Sequence, residues 1–261
     1  MSSLSAVLDH VEKQLDEGDP EKLLLIDIDV PDEALEHAVS LLHQPETIKT
    51  VILERNGMSS ASSLARLLYA LPCLEELVVR RNKLKEEGFG ELCVALQTHE
   101  HLHTLDLSRN QLTDLAAQQL CDALSSSSSL RNLSLRDNLL TGDSAMSLTT
   151  LLMSPTCKLE SLDLGVNDVS DSGTLAIASA LESESSTLRR LSLDTNSITM
   201  VGAQSLATAL AKNRTLKMLS ITDNKLGDTG IQALEKAMET NSNIEELAVR
   251  GNKSILAHTL I

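Results

Sequence analysis

Five arginines are the residues whose type and placement best suit binding chemistry, because the chain as a whole is acidic, with a formal net charge of −15. They are Arg55, Arg80, Arg81, Arg109 and Arg136. A guanidinium group binds a carboxylate through two parallel hydrogen bonds, and arginine is enriched at interaction hot spots. These arginines would therefore suit an acidic segment of a protein partner. In the alternative, they pair with acidic residues of their own chain, such as Glu54, Glu76, Asp106 and Asp137.

Residues for covalent or metal chemistry are few. His99, His101 and His103 alternate and would share one face of an extended segment, but Leu102 lies at a core position and a metal site would need further ligands. We therefore expect solvated loop histidines and no bound metal. The four cysteines lie far apart, and neither a G-x-S-x-G nucleophile motif nor a G-x-x-x-x-G-K-S/T phosphate loop occurs. The sequence thus predicts a protein that is not an enzyme and carries no cofactor.

An internal repeat supplies the elements that must position the arginines. Its clearest copy runs from Leu102 to Leu112 and has the pattern L-x-x-L-x-L-x-x-N-x-L. The asparagine of this pattern occurs eight times at intervals of 26 to 29 residues, which chance would not produce. The eight residues are Asn56, Asn82, Asn110, Asn138, Asn167, Asn196, Asn224 and Asn252. The chain is therefore predicted to be one quasi-linear array of about eight to nine repeats.

Each repeat is expected to fold as a strand, a bend and a helix. Period-two alternation places the leucines of L-x-L on the inward face of a short strand. The asparagine follows at the bend, where its amide can bond backbone groups of adjacent coils that would otherwise be unpaired. Helical spacing follows, as in Leu120, Ala123 and Leu124. Because a helix is wider than a strand, we predict an α/β solenoid, a horseshoe arc with a parallel concave β-sheet and convex α-helices.

The concave side is the predicted face for a partner. If the residues of L-x-x-L-x-L-x-x-N are numbered one to nine, the side chains at positions three, five, seven and eight should point away from the core. The five arginines all lie at position seven or eight and form an arginine strip along the N-terminal half. The candidate contact residues are Arg55, Arg80, Arg81, Asp106, Arg109, Arg136, Asp163, Asp194, Thr222 and Arg250.

Atypical segments flank the array. Residues 1–22 are predicted to form an N-terminal cap helix, residues 23–254 the leucine-rich repeat array, and residues 255–261 a C-terminal tail or partial cap. A terminal repeat lacks a neighbour on one side, so an uncovered apolar layer at the C-terminal end would favour self-association.

The first repeat is degenerate. Its apolar run is expected to place Leu23, Ile26 and Ile28 in the inward positions. Pro31 would then stand where the later repeats have asparagine.

The repeat length of 28 to 29 residues, the helical second half, and turns such as residues 226–231 and 169–173 resemble the ribonuclease-inhibitor-like class of leucine-rich repeats. Similar repeats occur in NOD-like receptors, the Ran GTPase-activating protein and tropomodulin. The resemblance covers roughly residues 23 to 254 and implies a fold, because these proteins share a scaffold and not a site. It also implies two alternative functions, a regulator of a small GTPase and an actin-binding or cytoskeletal module.

The amino-acid composition limits the classes of binding partner and the cellular compartment that are compatible with this sequence. With 37 acidic and 22 basic residues, the overall field opposes binding to nucleic acid and to anionic membranes. No apolar run of about 18 residues suits membrane insertion. The scattered cysteines favour a reducing, cytoplasmic setting. The sequence therefore favours a non-enzymatic scaffold that binds a protein partner on its concave face.

Overall fold

The computed structural model describes residues 3–42, 44–84, 86–125 and 129–252. Over these residues, nine strands form one parallel sheet in which each strand pairs with the next along the chain. The strands are β1 Lys22–Ile26, β2 Thr50–Glu54, β3 Glu76–Val78, β4 Thr104–Asp106, β5 Asn132–Ser134, β6 Ser161–Asp163, β7 Arg190–Ser192, β8 Met218–Ser220 and β9 Glu246–Ala248. The predicted α/β solenoid is confirmed.

Nine α-helices alternate with the strands in the same described residues, and a short 3-10 helix, Pro45–Thr47, precedes β2. The helices are α1 Ser3–Glu17, α2 Asp32–Ser40, α3 Ala61–Ala70, α4 Phe89–Thr98, α5 Asp114–Leu124, α6 Gly142–Leu152, α7 Ser170–Leu181, α8 Met200–Lys212 and α9 Gly227–Thr240. Each helix packs against the next one, so the helices form the second layer of the arc.

The core lies between the sheet and the helices and is almost wholly aliphatic. In the fourth coil, Leu105 and Leu107 at positions four and six are both fully buried. The helix that follows buries Leu120, Ala123 and Leu124, the apolar stripe that the sequence predicts. Every strand residue that faces the helices is thus apolar, which leaves the opposite face of the sheet free to vary.

The first strand differs in register from the prediction. β1 pairs with β2 so that Leu23 lies opposite Val51 and Leu25 opposite Leu53. Leu23 and Leu25 therefore occupy positions four and six, and both are buried. Ile26, which was predicted to point inward, is 41% exposed. A run of apolar residues matches the repeat in more than one register, and only pairing with the second strand selects one.

The same shift moves the asparagine position of the first coil. Ile28, and not Pro31, stands at position nine, where its N–H donates to Oδ1 of Asn56 at 3.4 Å. Asp27 just before it has the left-handed φ of 56° that position eight has in the later coils. Pro31 instead occupies the N-cap position of α2, without a capping hydrogen bond from its side chain.

The asparagines at position nine join adjacent coils through buried hydrogen bonds. Nδ2 of Asn224 donates to the carbonyl of Leu193 in the preceding coil at 2.8 Å. Its Oδ1 accepts from the N–H groups of Asn196 and Ile198 at 2.8 and 3.0 Å. Asn110 differs, because its Oδ1 is buried without a hydrogen-bond partner among the described atoms. The eight asparagines are therefore not equivalent.

A second set of buried polar side chains bonds the ends of the helices. His99 is only 7% exposed, and its Nε2 lies 3.0 Å from the carbonyl oxygen of Leu71. Asn213 and Asn241, at the same place three residues before position one, donate to carbonyls of the preceding coil. The prediction of a solvated histidine was wrong for His99, because stacking of the coils buries its ring against the carbonyl of Leu71 at the C-terminus of α3.

The N-terminal helix is part of the described structure, whereas the residues after 252 are not. α1 packs against α2 and β1 and buries Val7 and Val11. Residues 253–261, which include the predicted tail or partial cap, lie outside the described residues. In the part of the chain that is described, no helix has both the length and the apolar character needed to cross a membrane.

Candidate functional site

Positions three and five of strands β2 to β9 line the concave face. Fifteen of these sixteen side chains are partly or fully exposed, whereas positions four and six of β2 to β8 are all buried. Most of the exposed groups are hydroxyls, amides or carboxylates, as at Thr104, Asn132, Ser134 and Asp163. The face therefore presents polar groups at the strand spacing of about 4.8 Å.

Position eight ends each strand with a left-handed bend. The backbone φ there is 56° at Asp27 in the first coil, between 53° and 59° in the next seven coils, and 78° at Gly251 in the ninth. The seven other residues are Arg55, Arg81, Arg109, Asp137, Val166, Thr195 and Asp223. Six of these seven side chains carry a charge or a hydroxyl. The bend thus places charged groups at the rim where the strands end.

All five arginines of the arginine strip have carboxylate partners. The ion pairs are Arg55 with Asp27 and Glu54, Arg80 and Arg81 with Glu54, Arg109 with Asp137, and Arg136 with Asp163 and Asp194. The structure therefore shows the pairing alternative, although two of the four carboxylates named from the sequence, those of Glu76 and Asp106, form no ion pair within the described residues. Each arginine side chain still keeps 37–48% of its surface exposed.

Glu54 is the centre of the N-terminal part of the strip. Its side chain is only 9% exposed, and its carboxylate lies 2.6 Å from Nη2 of Arg80, 3.7 Å from Arg81 and 3.9 Å from Arg55. A carboxylate this deeply buried must be compensated by charge or hydrogen bonds. The three arginines supply that compensation, so Glu54 gathers them at one point of the rim.

Arg136 spans two coils because of a glycine. Its Nη1 lies 3.6 Å from Asp163 in the next coil and 3.6 Å from Asp194 in the coil after that. Gly165 lies between them, and a Cβ there would come within 2.0 Å of that same Nη1. Any larger residue at position 165 would displace the guanidinium group. Gly165 is thus a positioning residue that the sequence patterns did not reveal.

Asp194 is held as a carboxylate by its surroundings. Burial acts to raise its pKa, but hydrogen bonds from Ser220 and Thr222, together with the charge of Arg136, outweigh burial and hold the pKa below its usual value. The Ser220 hydroxyl donates at 2.6 Å and the Thr222 N–H at 2.8 Å. Four of the candidate contact residues and their neighbours therefore form one connected group on β5 to β8.

The remaining candidate residues lie apart from this group. Oδ1 of Asp106 accepts from the N–H of Ser108 in its own coil at 2.8 Å. Arg250 lies in the last coil and is exposed. The structure thus separates the candidate residues into an N-terminal cluster around Glu54, a central cluster around Asp194, and isolated members.

Two apolar residues of the concave face were not among the predicted contact residues. Ile52 and Val78, both at position five, lie side by side on paired strands. Together with Arg80 and Asp106 they line a shallow cavity that extends across β5 to Ser161 and Asp163 on β6. Apolar residues at position five among polar neighbours were the signal in the sequence. Of the two, Ile52 is partly exposed and Val78 is buried, and apolar surface surrounded by polar groups is common at protein interfaces.

The groups that covalent or metal chemistry would use are poorly placed for it. Burial raises the pKa of the Cys93 thiol to about 12 and also raises the pKa values of Cys121 and Cys157, which opposes formation of the reactive thiolate. All four cysteines are free thiols. Within the described ranges, no group of three or more histidine, cysteine, aspartate or glutamate side chains could hold a metal ion.

Comparison with known proteins agrees with the architecture. The family model described as Leucine Rich repeat matches residues 98–121, 157–178 and 212–234. These matches, on an array of nine paired coils, confirm the predicted leucine-rich repeat fold. No curated protein sequence matches the chain.

Two solved structures illustrate the structural likeness. Actin-binding site 2 of leiomodin-1 shares 14% identity with this chain, at a TM-score of 0.41, covering 69% of this chain and 88% of the leiomodin chain. The tropomodulin C-terminal domain of Caenorhabditis elegans shares 18% identity, at a TM-score of 0.42, covering 70% of this chain and 93% of the other. Identities and superpositions at this level transfer no function.

Proposed function

We propose that this leucine-rich repeat protein is a non-enzymatic scaffold that holds a protein partner on its concave face. The observation that carries the proposal is that each strand has one face that repeats from coil to coil and one that varies. From β2 to β8, positions four and six repeat and are buried, whereas positions three and five vary and are at least partly exposed in all cases but Val78. Specificity can therefore vary on this face without cost to the core, which is how repeat arrays present binding surfaces.

The paired arginines support the same proposal. Partly exposed ion pairs stabilise a fold by only about 0.2–1 kcal/mol each. A partner that offers its own carboxylates can therefore exchange with Asp137 or Asp163 at little cost to the scaffold. We accordingly propose that the partner presents an acidic segment to Arg109 and Arg136, and an apolar side chain to Ile52, which is partly exposed whereas its neighbour Val78 is buried.

Obstruction of the concave face tests the location of the site. Ser134 lies at the centre of the face, so Ser134→Arg should block it, and Ser179→Arg on the exposed side of α7 introduces the same side chain elsewhere. Proteins captured by the wild-type chain should be recovered with Ser179→Arg and reduced at least tenfold with Ser134→Arg, by quantitative mass spectrometry. Equal recovery with both variants would refute a concave site. Unchanged circular dichroism would show that the fold is intact.

A charge exchange tests the acidic segment. Reversing arginines singly would place like charges beside Glu54 or Asp137, which would disturb the fold itself. Arg109 and Asp137 share position eight, with φ values of 59° and 56°, so Arg109→Glu combined with Asp137→Arg preserves the ion pair with its direction reversed. We expect normal stability and at least fivefold weaker partner binding. Full retention of affinity and of its salt dependence would exclude these residues from the interface.

Regulation of a small GTPase and binding to actin or the cytoskeleton stay predictions of the resemblance. A hydrolysis assay against a panel of small GTPases tests the first, and a filament elongation assay tests the second. Acceleration of hydrolysis or an altered elongation rate would identify the partner class. We further propose a cytoplasmic location, because four unpaired thiols suit a reducing compartment.

A further inference from the structure

A cluster of cations lies at the edge of the sheet where strands β5 to β8 begin, away from the arginine strip. Five basic side chains and one carboxylate line a recess of about 450 Å³. We refer to it as the basic recess. The charged residues that line it are Arg131, Lys158, Glu160, Arg189, Arg214 and Lys217. An excess of four positive charges at one point is unexpected in a chain whose net charge is −15.

Most of these cations are not neutralised by the protein. Arg189 lies 3.7 Å from Glu160, and Lys217 lies 2.9 Å from the exposed Glu245. Arg131 and Lys158 have no ion pair or hydrogen bond from their side chains to any described residue. This contrasts with the arginine strip, in which every guanidinium group has a carboxylate partner.

Arg214 is oriented before any ligand arrives. Its Nη1 donates to the carbonyl oxygens of Ala211 and Asn213 at 3.1 and 3.0 Å, where α8 ends. These two contacts use one nitrogen of the guanidinium group and leave its other donors available. A side chain fixed in this way loses less conformational entropy when it binds an anion.

The rest of the lining indicates the kind of ligand. Besides the charged residues, the described residues that line the recess are Ser186, Thr187 and Thr215. Hydroxyls and guanidinium groups suit phosphate oxygens. No apolar side chain lines the recess to anchor a peptide, and peptide recognition usually depends on such anchors. Its volume falls within the range of small-molecule sites, about 300–1,000 Å³.

We propose that the basic recess binds a small anion that carries two or more phosphate groups. Arg131 and Lys217 lie at the same repeat position three strands apart, a span of about 14 Å, which one phosphate group cannot bridge. Several phosphates are needed to reach the cations of all four coils together. The recess is separate from the concave ion pairs, so this proposal does not depend on the proposed scaffold function.

Calorimetric titration of the full chain with inorganic tripolyphosphate tests the proposal. We expect one site, weakened at least tenfold by Arg131→Ala combined with Lys158→Ala, and weakened as salt rises. Lys49→Ala combined with Arg66→Ala removes the same charge from elsewhere, including the equivalent repeat position in the second coil, and should change affinity less than twofold. Glu160→Gln removes the one carboxylate among the described residues that line the recess and should tighten binding at least threefold, a gain that misfolding cannot mimic.

Several results would overturn the proposal. These are the absence of binding at about millimolar tripolyphosphate, equal weakening by the control pair, or no gain from Glu160→Gln. Equal affinity for inorganic phosphate would contradict the requirement for several phosphates, and equal affinity for citrate would contradict the preference for phosphate. Tenfold tighter binding of a peptide with two adjacent phosphoserines would assign the recess to a protein segment and reject a free small ligand.

Discussion

Replacing Asn138 by alanine should destabilise the array more than replacing Asn110, although both asparagines occupy position nine and both are buried. Oδ1 of Asn138 accepts from the N–H groups of Asn110 and Leu112, each at 3.0 Å. Neither N–H group has another acceptor among the described residues. Oδ1 of Asn110 accepts no hydrogen bond from any of them. The two substitutions therefore leave different groups unpaired.

The difference can be estimated from those groups. Asn138→Ala leaves two buried N–H groups unpaired, and each costs about 1–3 kcal/mol, so we expect a loss of about 2–6 kcal/mol. Asn110→Ala leaves no N–H group unpaired. Its main loss is the donor to the carbonyl of Val79, and an under-satisfied carbonyl is better tolerated than an orphaned N–H. A loss of about 1–2 kcal/mol is expected there.

Urea unfolding monitored by far-ultraviolet circular dichroism measures both values. The two variants carry the same chemical change at the same repeat position, so each controls for the other. Repeat arrays can unfold in parts, and the free energies should be compared only if the urea slopes agree. Equal destabilisation within about 0.5 kcal/mol, or a larger loss for Asn110→Ala, would show that unpaired N–H groups do not govern the contribution of the asparagines.

Three further predictions follow from single side chains. Burial lowers the pKa of His99 below the ordinary value of 6.5, so the unfolded chain binds a proton more readily than the folded chain does. The free energy of unfolding should therefore fall as the pH drops below about 6.5. His99→Asn, which places an asparagine where the later coil has Asn213, should reduce that fall between pH 7.5 and 5.5, as measured by urea titrations. Val166 has a φ of 57°, which is strained for a β-branched residue. Val166→Asn should therefore raise the free energy of unfolding by about 1 kcal/mol, and a lower free energy of unfolding would contradict this explanation. Cys73 is half-buried whereas the other three cysteines are buried, so a thiol reagent should label one site per folded chain and four in urea, as counted by mass spectrometry.

Several features were predictable because they depend on residues close in sequence. The leucines at positions four and six, as in Leu105 and Leu107, face the core because strand alternation and helix spacing are local periodicities. The spacing of the asparagines predicted one array, and the nine-stranded parallel sheet confirms it. The register of the first strand was wrong because Leu23 to Ile28 contains too many apolar residues for pattern alone to choose among alignments.

Other features depend on residues about 28 or more positions apart and were not predictable from local pattern. The buried ring of His99 contacts the carbonyl oxygen of Leu71, 28 positions earlier in the preceding coil. The reach of Arg136 to Asp194 depends on the absence of a side chain at Gly165, in the coil between them. In each case the deciding contact joins coils that the sequence shows only as separate copies of one pattern.

The sequence by itself determined the coil, its repetition and the face of the sheet that varies, because these follow from residue periodicity and the need to bury apolar surface. Only the tertiary structure decided which charges on that face are neutralised. Stacking placed Glu54 among three arginines and Asp194 beside Arg136, while among the described residues it left Arg131 and Lys158 without acidic partners. Coulomb interactions decay with distance in space and are indifferent to separation along the chain, so the charge pattern of a solenoid is fixed only when its coils are stacked.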